Sequence, residues 1–431
     1  MSSGREPLIE RYRMFSEFDA STLDEVLTYS LSDDITARGF QATAGSEMLK
    51  GYRPLFDAAV VSKMNGNHLI GKTNMDEFGF GMFSVTGTGI PRNPFDPERS
   101  CGGSSGGAAC AAALLEGHVA LGTSGGGSIT SPAAFCGVLG LTPTHGRISR
   151  YGQIDGVSSM GPIGILASKS DLLRKYLPLI SGKDDRDPVS AAQPELRIGN
   201  RKLKTAAVPK GITDNVSDSV RSAFEDSVEL LKSMSVSVEI VDMPHLKYAM
   251  PAHYVVSVTE AATNLVQYCG MRCGRQDGDL SLPFNDYFVS FRSKYFGTET
   301  KLRSIMGTYM TMGDNRRNMY LRSLGARNLV INDHKRVLGE HDVILTPSMP
   351  FISPKIDDAV RMRSADSYMT GRFAAPPVFC GLPCLSVPCG YSDGMPIGMQ
   401  FISDHWDEDI LLSAADLWEK AFDMKTAEVR S

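Results

Sequence analysis

The chain has 431 residues, of which 42% are hydrophobic and 22% are charged, and its formal net charge is −5. These proportions are typical of a globular protein with enough apolar surface for a large core. The sequence contains no basic tail or stripe of Lys and Arg. We therefore do not expect this chain by itself to hold a nucleic-acid backbone.

The cysteines and apolar stretches exclude several other classes of protein. Cys269 and Cys273, like Cys380 and Cys384, are four positions apart, which is not the spacing of a zinc site. We expect the eight cysteines to be buried free thiols. The first residues lack the apolar core of a signal peptide, and the apolar stretch 108–121 is interrupted by charged and polar residues. The sequence thus favours a cytoplasmic protein without a membrane span.

Predicted helices and strands alternate along most of the chain. In the first third of the chain we predict one or two short helices in 1–30, a helix over 48–63, a strand over 68–72, a helix over 108–115, a strand over 119–123, a helical turn from Ser128 to before Gly137, and a strand over 138–142. The middle is predicted to contain a helix over 168–181, a strand over 205–209, a helix over 216–234, a strand over 236–241, and a mostly helical section over 250–337. The last part is predicted to contain strands over 342–346, 384–388 and 397–401, and a final helix over 407–422. This order predicts an α/β fold with a large mixed or mostly parallel sheet, covered by helices on both faces.

No linker-like segment divides the chain, so we predict a single domain over 1–431. Within it we distinguish four parts by their predicted content: a short helical N-terminal segment (1–30), a core with the glycine-rich loops (31–200), a helix-rich section (201–340), and C-terminal strands with a helix (341–431).

Two serines flanked by glycines are the strongest indication of chemistry. Ser104 lies within Gly-Gly-Ser-Ser-Gly-Gly at 102–107, and Ser128 follows Gly125, Gly126 and Gly127. Glycines let the backbone take positive φ and let a substrate approach closely. A strand, a glycine run and a helix start direct several N–H groups to one place, where they can stabilise an oxyanion. A serine at the end of such a run could be an acylated nucleophile.

Two other interpretations of these loops are less favoured. Flexible Gly/Ser linkers are not usually followed by helix- and strand-forming apolar residues, as both runs are here. A phosphate-binding P-loop requires a lysine after its glycines, and neither run has one.

The loops and several other motifs resemble the amidase signature family and, within it, the A-type subunits of tRNA-dependent amidotransferases. The matching stretches are 102–107, Gly-Thr-Ser-Gly-Gly-Gly-Ser-Ile at 122–129, Gly-Lys-Thr-Asn-Met-Asp-Glu-Phe at 71–78, Ser-Pro-Ala-Ala-Phe-Cys-Gly-Val at 131–138, Gly-Arg-Ile-Ser-Arg-Tyr-Gly at 146–152, Phe-Gly-Thr-Glu-Thr-Lys at 296–301, and Leu-Ser-Val-Pro-Cys-Gly at 385–390 with Pro-Ile-Gly at 396–398. The resemblance implies an amidase fold and chemistry by a Ser–Ser–Lys triad.

The resemblance also implies roles for individual residues. Ser128 falls on the family's acyl-ester nucleophile, and Ser104 on the bridging serine, which is in a cis peptide in that family. The N–H groups of 125–128, including those of Gly125, Gly126 and Gly127, fall on the oxyanion hole. Arg292 falls on the arginine that holds the substrate carboxylate; without the motif, a charge on the surface of a helix would be the favoured interpretation of Arg292.

The activity and partners implied by the resemblance are those of a multisubunit enzyme. Its A-type component releases ammonia from glutamine, and a GatB-like subunit uses it to transamidate misacylated Glu-tRNA(Gln) or Asp-tRNA(Asn). A small GatC-like subunit holds the two together. ATP and Mg are used by the partner subunit, which also makes most of the tRNA contacts. No cofactor or metal is therefore expected on this chain.

The sequence departs from the family pattern at the catalytic lysine. That lysine belongs in a motif of the type Ile-Lys-Asp-Asn-Ile, and the corresponding stretch at 31–35 is Leu-Ser-Asp-Asp-Ile, with Ser32 at the lysine position. Further departures are Ser124 and Thr130 in place of an aspartate and an arginine, Gly371 in place of the aspartate that receives the substrate amino group, and Cys273 in place of a pocket tyrosine. Two alternatives therefore stay open: a catalytically impaired scaffold subunit, or a free-standing amidase of altered specificity.

Overall fold

In a computed structural model of the chain, the described residues (5–23, 25–190, 194–199, 201–425 and 427) form one mixed sheet of 11 strands. The strands are β1 (Phe15–Phe18), β2 (Thr28–Ser32), β3 (His68–Thr73), β4 (Val119–Thr123), β5 (Leu139–Thr142), β6 (Ile163–Ala167), β7 (Thr205–Pro209), β8 (Ser237–Val241), β9 (Val343–Pro347), β10 (Cys384–Ser392) and β11 (Met395–Ile402). Their order across the sheet is β1-β3-β2-β4-β6-β5-β10-β11-β9-β7-β8.

Parallel pairs lie towards the two sides of the sheet and antiparallel pairs occupy its middle, while the edge strand β1 is antiparallel to β3. Strand β2 is parallel to β3 and β4, and β7 is parallel to β8 and β9. From β4 through β6, β5, β10 and β11 to β9, every neighbouring pair is antiparallel. The predicted mixed sheet is confirmed.

Helices cover both faces of the sheet. They are α1 (Glu6–Tyr12), α2 (Ala59–Lys63), α3 (Gly106–Leu114), α4 (Thr130–Cys136), α5 (Ser170–Ile180), α6 (Asp218–Ser233), α7 (Ala249–Asn264), α8 (Phe284–Tyr295), α9 (Thr298–Thr311), α10 (Arg322–Leu338), α11 (Ile356–Arg361), α12 (Ser364–Met369), α13 (Ala375–Cys380) and α14 (Glu408–Ala421). Strand β4 shows why both faces need cover: Val119 and Leu121 pack into a core with residues of α5 and α14, whereas Ala120 packs into another with α3 and α4.

Most predicted elements occur within a few residues of their expected limits, and the exceptions have local causes. The predicted helix over 48–63 is wrong in its middle, because Gly51 takes φ +83° and Pro54 follows it, so only a short turn at Glu47–Leu49 and α2 are helical. Strands β1, β2 and β6 were not predicted. Strand β1 and most of β2 lie in the segment 1–30, for which one or two short helices were predicted. The sequence of β6, Ile-Gly-Ile-Leu-Ala, shows no alternation of apolar and polar residues.

The cysteines are free, as expected, although two of the eight are only partly buried, Cys269 and Cys273. Throughout the described ranges, none of the helices combines the length and the apolar character that a membrane crossing requires.

A buried ion pair joins the segment after β5 to the start of α14. The side chains of Arg147 and Glu408 are 1% and 0% exposed, and Arg147 Nη2 lies 3.0 Å from Glu408 Oε2. The other carboxylate oxygen accepts from the Thr144 N–H at 3.0 Å, and the guanidinium stacks over Trp406. Because neither charge can be hydrated, each depends on the other.

We therefore predict that Glu408→Gln lowers the free energy of unfolding by about 3–5 kcal/mol, since it removes the negative charge that faces the buried guanidinium. The measurement is denaturant unfolding followed by circular dichroism. Glu229→Gln is the matched control, because its partner Lys232 forms an exposed pair in which the two side chains are 46% and 71% accessible. The control should change stability by less than about 1 kcal/mol. Equal losses in the two variants would contradict the prediction.

Candidate active site

The two glycine-flanked serines come together at the carboxyl end of β4. Ser105 connects their loops: its N–H donates to the Ser128 carbonyl at 3.3 Å, and its hydroxyl donates to the Thr123 carbonyl at 3.1 Å. Ser104 and Ser128 line the same cavity, and both are almost fully buried. The Gly103–Ser104 peptide is cis, as the family resemblance implied.

A second loop holds Ser104 from behind. The Ser104 carbonyl accepts from the Ser84 hydroxyl at 2.9 Å and from the Asp76 N–H at 3.2 Å. Ser84 in turn accepts from the Gly106 N–H, at the first residue of α3. The Asp76 carboxylate receives the N–H groups of Ser84 and Thr86 at 2.8 and 3.0 Å. Burial raises the pKa of Asp76, and these donors oppose the rise. This network fixes the backbone on which Ser104 stands.

The glycines before Ser128 are required by space as well as by conformation. Gly127 has φ +104°, and a Cβ there would lie 2.3 Å from the Ala374 Cβ. A Cβ on Gly126 would lie 2.7 Å from the His253 ring. Among the described residues, no acceptor pairs with the N–H groups of 125–128. N–H groups without an acceptor can donate to an oxyanion, and the oxyanion hole at 125–128 stays a prediction.

His253 supports the glycine loop and was not found from the sequence. Its Nε2 lies 2.8 Å from the Gly125 carbonyl, and its Nδ1 contacts the Tyr368 hydroxyl. A carbonyl can only accept, so Nε2 carries the proton and Nδ1 accepts from the tyrosine. Burial lowers the pKa of His253 to about 4. The ring is therefore neutral at neutral pH, and both of its nitrogens are used.

Arg303, rather than Arg292, is the arginine of the cavity. Arg303 on α9 lines it, with a side chain only 4% exposed, and pairs with Glu299 at 2.8 Å. Arg292 on α8 is not among the lining residues; it donates to the Leu265 carbonyl at 2.7 Å and to the Ser304 hydroxyl at 3.4 Å. The cavity is lined by Asp34, Phe78, Gly79, Phe80, Gly81, Met82, Ser104, Thr123, Gly125, Gly126, Ser128, Gln153, Ile154, Asp155, Gly156, Val157, Gly161, His253, Ser257, Arg303 and Tyr368.

Comparison with known proteins shows the family to which the chain belongs. The family model described as Amidase matches residues 26–412. The chain belongs to the amidase family. The A-type subunits of the glutamyl-tRNA(Gln) amidotransferases of Methanococcoides burtonii and Archaeoglobus fulgidus are 37% and 38% identical to it, over 91% and 94% of this chain and 84% and 88% of theirs.

Solved structures of other amidase proteins share the fold. The A-type subunit of the glutamyl-tRNA(Gln) amidotransferase of Thermotoga maritima superposes with a TM-score of 0.83 and 28% identity, covering 98% of this chain and 92% of that one. A peptide amidase in complex with chymostatin has a TM-score of 0.80 at 23% identity, covering 98% and 93%, which indicates the same fold.

Ser32, which the sequence predicts to occupy the position of the amidase lysine, does not line the cavity. It ends β2, is fully buried, and donates to the sulfur of Met75 at 3.2 Å. A lysine is buried on the neighbouring strand β3, Lys72, and its ammonium donates to the Ile35 carbonyl. Burial lowers the pKa of Lys72, while Asp33 and Asp34 oppose the change. Lys72 is also absent from the lining, so neither residue presents an amine to the serines.

The structure also shows where the other residues that are predicted to depart from the amidase pattern lie. A Cβ on Gly371 would lie 3.6 Å from the Gly126 carbonyl, so this position borders the glycine loop but offers no carboxylate. Ser124 is buried, and its hydroxyl has no partner among the described residues. The Thr130 hydroxyl faces the Cys384 sulfur at 3.8 Å. Cys273 is partly buried and packs against the cluster around Phe78, outside the cavity lining.

We predict that Gly127→Ala destabilises the protein by about 2–5 kcal/mol. The side chain would meet both an unfavourable positive φ and the Ala374 methyl group. Thermal and denaturant unfolding measure the loss. Gly125→Ala is the matched control in the same loop, because its Cβ would meet only the Met160 carbonyl, at an ordinary 3.7 Å. A stability change below about 1 kcal/mol is expected for the control. The explanation fails if Gly127→Ala is as stable as Gly125→Ala.

Proposed function

We propose that this protein is the A-type subunit of a tRNA-dependent amidotransferase. It releases ammonia from glutamine for the transamidation of misacylated Glu-tRNA(Gln) or Asp-tRNA(Asn). The observation that carries the proposal is that Ser128 and Ser104 line one cavity with Gly125 and Gly126, and that the N–H groups of 125–128 have no acceptor among the described residues. The names of the relatives that match most of the chain support the same function.

The geometry supports amide hydrolysis through an acyl-ester. The Ser128 Oγ attacks the carboxamide carbon of glutamine, and the carbonyl oxygen becomes an oxyanion that accepts from the N–H groups of Gly126, Gly127 and Ser128. The C–N bond then breaks, and ammonia leaves after receiving a proton. Water hydrolyses the glutamyl ester and restores the serine. Ser104 lines the same cavity and would pass protons to and from Ser128.

Arg303 is suited to hold the α-carboxylate of glutamine. It is a buried positive charge at the cavity wall, and its guanidinium packs against Phe80 at 4.6 Å and Tyr368 at 5.2 Å from the ring centroids. Aromatic packing orients the planar group; its Nε donates to Glu299 at 2.8 Å and its Nη1 to the Ser257 hydroxyl at 3.2 Å, so a substrate carboxylate would bind the Nη1–Nη2 side. The Arg292 guanidinium instead donates to a backbone carbonyl, so it is not placed to hold the substrate carboxylate.

Partner subunits complete the reaction. The chain carries a net charge of −5 and no basic stripe, so GatB-like and GatC-like partners would supply most contacts to the tRNA phosphates. The GatB-like partner would also bind ATP and Mg, which activate the misacylated end of the tRNA. This chain would contribute ammonia and no cofactor.

The function is tested by Ser128→Ala in the complex with its partners. We expect glutamine-supported transamidation to fall by at least about 10³-fold, because the acyl-ester cannot form. Transamidation supported by ammonium chloride should be unchanged, since the variant affects only the release of ammonia. Product is measured as amidated aminoacyl-tRNA. Full glutamine-supported activity of the variant would disprove the proposed role of Ser128.

The assignment of the carboxylate site is tested by Arg303→Lys and Arg292→Lys. Lysine keeps the charge but loses the planar, two-pronged donor, so we expect Arg303→Lys to raise KM for glutamine by about 10-fold or more. Arg292→Lys is the matched control, and its KM should change less than about 2-fold. Steady-state glutaminase kinetics give both values. A larger rise in KM for Arg292→Lys than for Arg303→Lys would instead favour Arg292 as the residue that holds the substrate carboxylate, as the motif implies.

A second candidate is a catalytically impaired scaffold subunit. It is favoured by Ser32 in place of the lysine and by Gly371 beside the glycine loop, since both positions lack the expected charge. A fluorophosphonate that reacts only with an activated serine distinguishes the two functions. Labelling of Ser128 excludes the scaffold, and the absence of both labelling and glutamine hydrolysis supports it. Hydrolysis of simple amides without glutamine would instead indicate a free-standing amidase.

A further inference from the structure

A buried carboxylate stands close to the place from which the lysine is missing. The amidase pattern Ile-Lys-Asp-Asn-Ile reads Leu-Ser-Asp-Asp-Ile here, so an amine is lost at Ser32 and a carboxylate is gained at Asp34. Strand β2 ends at Ser32, and the turn that follows brings Asp34 to the cavity wall. The Asp34 side chain therefore faces the space that Ser104 and Ser128 share.

One oxygen of Asp34 is anchored and the other is unpaired. Oδ2 accepts from the Thr123 hydroxyl at 2.6 Å. Thr123 also receives the Ser105 hydroxyl at its carbonyl, so the carboxylate is tied to the strand end that carries both serine loops. Oδ1 is buried and has no partner among the described residues, and the same is true of the Ser104 hydroxyl. Two buried polar atoms without partners thus border one cavity.

The other buried titratable groups near the serines are less suitable as proton acceptors. His253 uses both ring nitrogens, one towards the Gly125 carbonyl and one towards Tyr368. Lys72 is committed to the Ile35 carbonyl and does not line the cavity. Asp33 accepts from Thr43 and Gly45, and it does not line the cavity either.

We propose that Asp34 replaces the missing lysine as the general base, exchanging the Ser128 proton through the Ser104 hydroxyl. As the Ser128 Oγ forms its bond to the carbonyl carbon, its proton passes to the Ser104 Oγ, and the Ser104 proton passes to Asp34 Oδ1. When the C–N bond breaks, the Ser104 hydroxyl gives its proton to the leaving nitrogen and takes one back from Asp34 Oδ1, and ammonia departs. The inference rests on the proposed amidase chemistry.

The charge state of Asp34 suits this role. Burial raises the pKa of Asp34 to about 6, and the Thr123 hydroxyl, the nearby Ser32 hydroxyl and the charge of Lys72 oppose the rise. The group is thus mostly ionised at neutral pH, yet it is a stronger base than an ordinary aspartate. The charged and titratable groups around it are Lys72 on β3, Asp33 in the same turn, Tyr268 after α7, and Asp155, His253 and Arg303 at the cavity wall.

The experiment measures the rate at which a fluorophosphonate labels Ser128 between pH 5 and 8, with glutamine hydrolysis measured in parallel. In the wild type we expect the rate to rise through a midpoint near 6, the pKa of Asp34, because only the ionised carboxylate accepts the proton. Asp34→Asn, which keeps the shape and an acceptor for Thr123, should label about 10²–10⁴-fold more slowly and show no midpoint near 6.

Thr123→Val provides a second variant that leaves the carboxylate in place. It removes a donor to the ionised form, so the midpoint should move to higher pH. Asp33→Asn is the matched control: it removes a neighbouring buried carboxylate outside the lining, and its labelling should remain pH-dependent even if its melting temperature falls.

Wild-type rates and an unchanged pH profile in folded Asp34→Asn would overturn the proposal. Labelling that depends on Asp34 without any glutamine hydrolysis would support the base while disproving the glutaminase function. Glutamine hydrolysis that is equal in the wild type and Asp34→Asn would disprove the role of Asp34 as the base while supporting the glutaminase function.

Discussion

The hydrogen bonds of Ser105 are the constraint on which the site depends. Its N–H and its hydroxyl bind the Ser128 and Thr123 carbonyls, so the loop before α3 and the loop before α4 cannot move independently. Glycine runs are flexible in isolation, and only such contacts give each serine a fixed position. Asp76 and Ser84 add a second layer of the same kind behind Ser104. The apolar cores on the two sides of β4 then hold the loops against the sheet.

The charge balance beneath these loops differs from that of the family pattern. The turn after β2 contains the buried carboxylates Asp33 and Asp34. Burial raises both pKa values, because an ionised carboxylate loses its hydration there. The positive charge of Lys72 acts in the opposite direction and lowers the pKa of both carboxylates. Several donors form hydrogen bonds to the Asp33 carboxylate and replace part of its lost hydration. Asp34 accepts from the Thr123 hydroxyl, and its other oxygen has no partner among the described residues. The two neighbouring carboxylates therefore have different environments and different capacities for chemistry.

The sequence predicted the parts of the molecule that depend on local pattern. Strand β4 and the two glycine loops followed from short apolar and glycine runs, and the position of Ser128 followed from the motif. It could not predict which arginine lines the cavity, because Arg292 and Arg303 both lie on helices and only the packing of α9 brings Arg303 inside. Asp34 was overlooked for a related reason. Its burial and its free oxygen depend on Thr123, which is 89 positions away in the chain.

The close approach of Gly127 to Ala374 links two distant parts of the sequence. A side chain at 127 would overlap the methyl group at 374. A bulkier residue at 374 would press on the backbone of the loop before Ser128. The shape of that loop thus depends in part on the residue before α13, which lies far along the chain from the glycine run.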